Sequence, residues 1–186
     1  AESNRLAEFH QQEYEQKVFV VNSIEIYNEF SAGKLDPTAI RDFIRMIYRR
    51  GQKSGNSLQH VLLMGDGSYD FKNKLANNTN YIPTFQSRNS TNPTYSYSSD
   101  DYYAILDDSE GYYDEALKVE GLDIGIGRIP CMNITQAKTM VDKIIHYHDP
   151  TIFGDWQNKI TLLGDDEDNG IHAFDSETAF NYVNQQ

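Results

Sequence analysis

The chain has almost no cysteine: Cys131 is the single thiol among 186 residues. An internal disulfide framework is excluded, and one thiol leaves the redox compartment open, because exported proteins also lack disulfides. Basic charge is the next shortage. Sixteen Lys and Arg face 28 Asp and Glu, a formal net charge of −12, and such a field repels nucleic acid and anionic lipid while attracting cations. Nucleic acid is therefore excluded as a partner. The sequence has neither an apolar run of membrane-spanning length nor a secretory signal pattern at Ala1. Membrane insertion is not expected, and an export signal is expected to have been removed or to lie outside these residues. Internal repeats and Gly/Ser linkers are absent too. What the chain does hold is 13 Tyr and 9 Phe, more aromatic side chain than a disordered acidic chain carries. Its length suits one good core, or one domain and the start of another.

Apolar periodicity sets the expected elements. AESNRLAEFHQQEYEQ carries Leu6, Phe9 and Tyr14 among polar residues and reads as a surface helix leading into a strand over Val18 to Val21. In LDPTAIRDFIRMIYRRG, Asp36 is placed as N-cap and Pro37 at the first helical position. Ile40, Phe43, Ile44, Ile47 and Tyr48 then recur at helical spacing, and Gly51 is the expected stop. Val61 to Met64 is continuously apolar and predicts a strand buried on both faces. A long polar excursion follows around a short strand at Tyr81 to Phe85; a loop of that length is usually functional or mobile. GLDIGIGRIP predicts a strand over Ile124 to Gly127, closed by Pro130. Asn133 caps the next helix, whose buried face is Ile134, Ala137, Met140, Val141, Ile144 and Ile145. NKITLLGDD predicts a strand over Ile160 to Leu163 before a last helix that starts near Asp175. Helices alternating with apolar strands predict an α/β fold, a mostly parallel sheet with helices on both faces. HYHDPTIFGDW is the candidate boundary and divides 1–150 from 151–186.

Two of these strands end in Gly-Asp, at Asp66 and at Asp165 with Asp166. Ligands of open α/β sheets gather at such carboxyl ends. DDYYAILDDSEGYYDE is the densest acidic stretch, with Asp107, Asp108, Glu110, Asp114 and Glu115 around a glycine. Oxygen donors on an irregular loop suit calcium, but the spacing is not that of an EF-hand, and a solvated acidic hairpin is an equal reading. Nucleophilic catalysis finds little support. Ser68 lacks the G-x-S-x-G elbow, and Cys131 has no base beside it in sequence. His146 and His148 are two residues apart near a helix end and point to different faces, so they do not form an i, i+4 metal pair. GDGSYDFKN lacks both the G-x-G-x-x-G fingerprint and a P-loop lysine.

Taken in order, HVLLMGDGSYDF, SSDDYYAILDD, LDIGIGRIP, AKTMVDKIIHYH and WQNKITLLGDDEDNG resemble the gingipain family of cysteine peptidases, most closely its PorU-type sortases of type IX secretion, from about His60 onward. The resemblance implies a truncated, caspase-like α/β catalytic domain. Residues 1–150 would be its first subdomain and 151–186 the opening strand and helix of the second. It also implies a His in a Gly-His-Gly stretch and a Cys nucleophile, both beyond the region that this chain resembles. No Gly-His-Gly occurs here, and Cys131 stands at the turn after the IGR strand, so no catalytic residue is assigned. Structural calcium is implied as well, on Asp66, on Glu110, Tyr112 and Asp114 with the carbonyl of Asp107, and on Glu167 and His172, with Asp175 as a substitute. The implied work is the processing of C-terminal sorting signals at the cell surface or outer membrane. Its partners would be secreted cargo proteins with C-terminal sorting domains and an outer-membrane shuttle protein. The alternative is a non-catalytic, calcium-stabilised binding module of the same fold.

Overall fold

The computed structural model describes residues 1–72, 74–87, 91–92, 96–108, 121–164 and 171–184. Two compact units divide the chain, Ala1–His146 and Tyr147–Gln186.

The first unit opens with helices α1 (Glu2–Tyr14), α2 (Ser23–Ser31) and α3 (Pro37–Ser54). The start of α3 follows from its sequence: the Asp36 carboxylate accepts the Thr38 N–H at 2.8 Å, and Pro37 occupies the first turn. Its inner face is formed by Ile40 and Ile44. The helix does not stop at Gly51. It runs on to Ser54, because Gly51 is buried where the Asn56 carbonyl oxygen would lie 2.4 Å from a β-carbon. Glycine serves there for close approach of two chain segments, not as a terminator.

Strand β1 (His60–Met64) pairs in parallel with a later strand, Gly125–Ile129, so that His60 faces Gly125 and Met64 faces Ile129. That later strand starts one residue after the predicted Ile124 and continues to Ile129. Between the two, β2 (Phe85–Gln86) and β3 (Ser98–Ser99) form a short antiparallel ladder, which makes the later strand β4. The strand predicted at Tyr81 to Phe85 survives only in its last residue. The N–H groups of Tyr81 and Ile82 donate instead to the Asp66 carbonyl, at 2.9 and 3.1 Å, and fold that segment onto the end of β1.

Two apolar clusters lie on opposite faces of the β1–β4 pair, as the period-two alternation of strand side chains requires. One joins Ile40, Ile44, Leu63, Tyr103, Leu106 and Ile124, and the other joins Leu6 of α1 to Ile129, Cys131 and Val141. Val141 belongs to α4 (Ile134–Tyr147), whose cap Asn133 accepts the Gln136 N–H at 2.9 Å. Ile134, predicted for the buried face of α4, is 79% exposed, because it opens the helix ahead of the first turn that meets the core.

Two predicted strands are not formed. Val18 to Val21 are a linker with Phe19 74% exposed, and Asn22 ends it by capping α2, accepting the Ile24 N–H at 3.0 Å. In the second unit Ile160 to Leu163 also form no strand, and Leu163 is 90% exposed. Both runs have strand composition, but among the described residues neither has a ladder partner for its backbone groups. The second unit holds two 3₁₀ turns, Pro150–Ile152 and Asp155–Asn158, and helix α5 (Ile171–Asn184), which begins ahead of the predicted Asp175. Among the described residues no helix is long and apolar enough to cross a membrane.

Candidate functional site at the two ends of the sheet

At the carboxyl end, β1 leaves through Gly65, whose φ of 149° is open to glycine alone and whose missing side chain leaves room for Tyr81 and Ile82. The Asp66 N–H donates to the Cys131 carbonyl at 3.1 Å, and the Asp66 carboxylate accepts the Thr79 hydroxyl. The loop beyond is tied by its own side chains. Asn80 accepts the Ser68 N–H at 3.2 Å, and buried Asp70 accepts the Leu75 N–H at 2.7 Å. Such Asx and Ser bonds replace the ladder partners that a loop lacks.

Arg128 closes this end. Its guanidinium donates to both oxygens of Asp100, at 2.6 and 2.7 Å, and to the carbonyls of Gly65 and Ile82 at 2.8 Å and of Pro83 at 3.3 Å. One planar fork thus joins β4, the exit of β1 and the segment before β2. Burial works against its charge, yet the bonds to Asp100 outweigh it, with a smaller contribution from Asp66, and the guanidinium pKa is raised. Tyr103 donates its hydroxyl to the same Pro83 carbonyl.

The amino end is organised by Asp123. Its carboxylate accepts the Leu106 N–H at 2.7 Å and the Tyr48 hydroxyl at 3.4 Å, while its own N–H donates to the Ala104 carbonyl at 2.9 Å. Burial, then the charge of Asp123 and to a lesser degree that of Asp107, raises the Tyr48 phenol pKa. Asp107 therefore stands at this end, next to Asp108, which pairs with Arg49 of α3.

This geometry separates two residues expected to share an ion. Asp66 lies beyond the last paired residue of β1 and Asp107 near the first, and the four steps between the five paired residues, at about 3.3 Å each, span about 13 Å. Calcium draws six to eight oxygens into one shell, so Asp66 and Asp107 do not fit a common site. Glu110, Tyr112, Asp114 and Glu167 lie outside the described residues. His172 and Asp175 are on α5, where with Leu163, Gly164 and Ser176 they line an open cavity of about 530 Å³. Among the described residues no three His, Cys, Asp or Glu side chains gather as a metal group.

A sequence model of peptidase family C25 matches residues 1–186. The chain belongs to peptidase family C25, the gingipain family. Among solved structures, "Crystal structure of dimeric latent PorU from Porphyromonas gingivalis" matches at 30% identity with a TM-score of 0.68, over 90% of this chain and 17% of that one. Among curated proteins nothing matches. The resemblance drawn from the ordered motifs and the truncated α/β fold with a parallel sheet are both borne out. The C25 chain spans 17% of the length of the PorU chain it matches. Its one thiol, Cys131, is buried between Leu6, Ile129 and Val141, unlike the partly exposed, electropositive setting in which a thiolate acts.

Two residues that organise the ends of the sheet were not singled out from sequence. Arg128 was readable as a cation inside GIGRIP, since a charge in an apolar strand demands a partner. Asp123, just ahead of the strand, left no comparable signal.

Proposed function

We propose that this chain is the opening part of a gingipain-like cysteine endopeptidase or sortase domain that processes C-terminal sorting signals of type IX secretion cargo. The observation that carries the reading is the match to PorU, 30% identical over 90% of the chain with a TM-score of 0.68. On this reading residues 1–150 belong to the first subdomain of the domain, and residues 151–186 open the second. The thiol and imidazole of the reaction lie elsewhere in the domain, where the imidazole activates the thiol for attack on a peptide carbonyl. The contribution of this chain is a scaffold: the Arg128 fork and the self-bonded loop after Asp66 hold the carboxyl end of the sheet. The protein is exported to the cell surface or outer membrane, and its partners are secreted cargo proteins and an outer-membrane shuttle of the same system.

Calcium enters as a structural ion at the amino end. The family resemblance supports a site that joins the Asp107 carbonyl to Glu110, Tyr112 and Asp114. Asp66 is then a structural turn residue.

The catalytic reading is tested with a peptide carrying a C-terminal sorting signal. The chain alone is expected to leave it intact, and a longer protein containing this chain is expected to cleave it in an iodoacetamide-sensitive manner. Turnover by the chain alone that is lost in Cys131→Ser would refute the proposal, as would an inert longer protein.

A further inference from the structure

The outer surface of α3 carries charge opposite in sign to the chain as a whole. Five of the 16 Lys and Arg residues fall within Pro37–Ser54, against one carboxylate, Asp42. Arg41 turns inward, its Nε donating to the Ile105 carbonyl at 2.7 Å. The other four, Arg45, Arg49, Arg50 and Lys53, line an open groove of about 380 Å³ with Phe30, Met46 and Asp42. Helical spacing sets Met46, Arg49, Arg50 and Lys53 along one stripe, so cations border an apolar floor.

One cation of the groove already holds a carboxylate from a distant part of the chain. Asp108, 59 residues away in sequence, pairs with Arg49, and that guanidinium holds its carboxyl below the usual carboxylate range. Arg45 is engaged by Asp42 at 2.9 Å. Arg50 and Lys53 are exposed and hold no ion pair with a described residue. We propose that this groove binds an acidic polypeptide segment, which seats an apolar side chain on Phe30 and Met46 and sets its carboxylates on Arg50 and Lys53. The net charge of −12 does not forbid this, because at physiological salt a charge is screened over about 8 Å and the local sign governs. A peptide suits the groove better than a membrane, since a flat anionic bilayer would also meet the acidic surface beyond the groove. The proposal is independent of the peptidase reading.

The test is fluorescence anisotropy of the full chain with a labelled peptide of Glu and Asp around a central Leu, beside its Gln and Asn analogue and vesicles of phosphatidylglycerol. The acidic peptide is expected to bind, more weakly as salt is raised, and the neutral analogue to bind far less. The double variant Arg50→Glu, Lys53→Glu should weaken binding about tenfold or more, because like charges then face each other; Met46→Gln should weaken it at unchanged salt dependence. Both charge changes are at exposed positions, and unchanged circular dichroism verifies the fold, with Arg50→Gln as a milder substitute. No binding, equal binding of the neutral analogue, indifference to charge reversal, or binding to the vesicles and not to the peptide would each overturn the proposal.

Discussion

Replacing Arg128 by Met removes five hydrogen bonds at once: two to Asp100 and one each to the carbonyls of Gly65, Ile82 and Pro83. The Arg128 and Asp100 side chains are 13% and 22% exposed, so solvent screens the pair little. Breaking a pair of this kind from one side costs about 3–5 kcal/mol, because the remaining charge is left uncompensated. Carbonyls that water cannot reach add about 1 kcal/mol each. The expected loss is about 6–8 kcal/mol for the pair and the three carbonyls together, a large share of the 5–15 kcal/mol or so that holds a domain of this size. Arg128→Lys keeps the charge but loses the fork, and should cost about half as much. The double variant Arg128→Met, Asp100→Leu removes both charges and should cost at least about 2 kcal/mol less than the sum of the two single changes. Urea unfolding followed by far-ultraviolet circular dichroism gives the energies, and hydrogen exchange at the Tyr81 and Ile82 amides reports whether the carboxyl end opens first. A loss below about 1 kcal/mol for Arg128→Met, or strict additivity in the double variant, would refute the role given to the fork.

Three further outcomes are expected. Burial pushes the Tyr27 phenol up to about 12 and raises that of Tyr103 further; a folded pKa above the unfolded value means that stability is whole below about pH 10 and falls as pH rises toward the folded value. Alkaline titration at the phenolate absorbance band should therefore show Tyr27 and Tyr103 ionising only as the fold opens, and their ionisation ahead of unfolding would contradict this. Calcium added after chelator treatment should raise the melting temperature; Asp107→Pro, which alters the backbone there, should abolish the rise while Asp66→Asn retains it, and the opposite pattern would return the ion to the carboxyl end. Gly65→Ala should cost about 2–3 kcal/mol in urea unfolding, since a β-carbon at that φ is strained and meets Ile82 and Tyr81; a neutral result would mean that the turn readily relaxes.

Where the sequence could be read, local physics decided. The Asp36-Pro37 start of α3 and the Asn133 cap of α4 are bonds within one turn, and the structure forms both. The apolar runs of β1 and β4 were legible because they pair with each other. Val18 to Val21 and Ile160 to Leu163 have the same composition but no described neighbour to complete a ladder, and strand propensity expresses the fit to a neighbouring strand. Helix α2 escaped notice because its nine residues bury only Ile26 and Tyr27, too few to declare a period. The stop assigned to Gly51 failed for a related reason, since the place a β-carbon would take there is filled by the carbonyl of a residue five positions on, a tertiary fact with no local sign.

Asp66 shows how such a limit bears on function. A Gly-Asp at the end of a parallel strand is compatible with a ligand site, and equally with a corner that saturates itself. Here the Asp66 N–H bonds to Cys131, its carbonyl takes two N–H groups, and its carboxylate takes the Thr79 hydroxyl. Arg128 occupies the neighbouring carbonyls and adds a positive charge that opposes a bound cation. An ion at this end would have to displace bonds that already exist and endure that guanidinium. At the amino end guanidinium groups are placed as well: Arg41 donates to the Ile105 carbonyl and Arg49 pairs with Asp108. Each end of the sheet is thus anchored by guanidinium groups on backbone or carboxylate oxygens, and a Gly-Asp at the end of a strand is by itself no mark of a cation site.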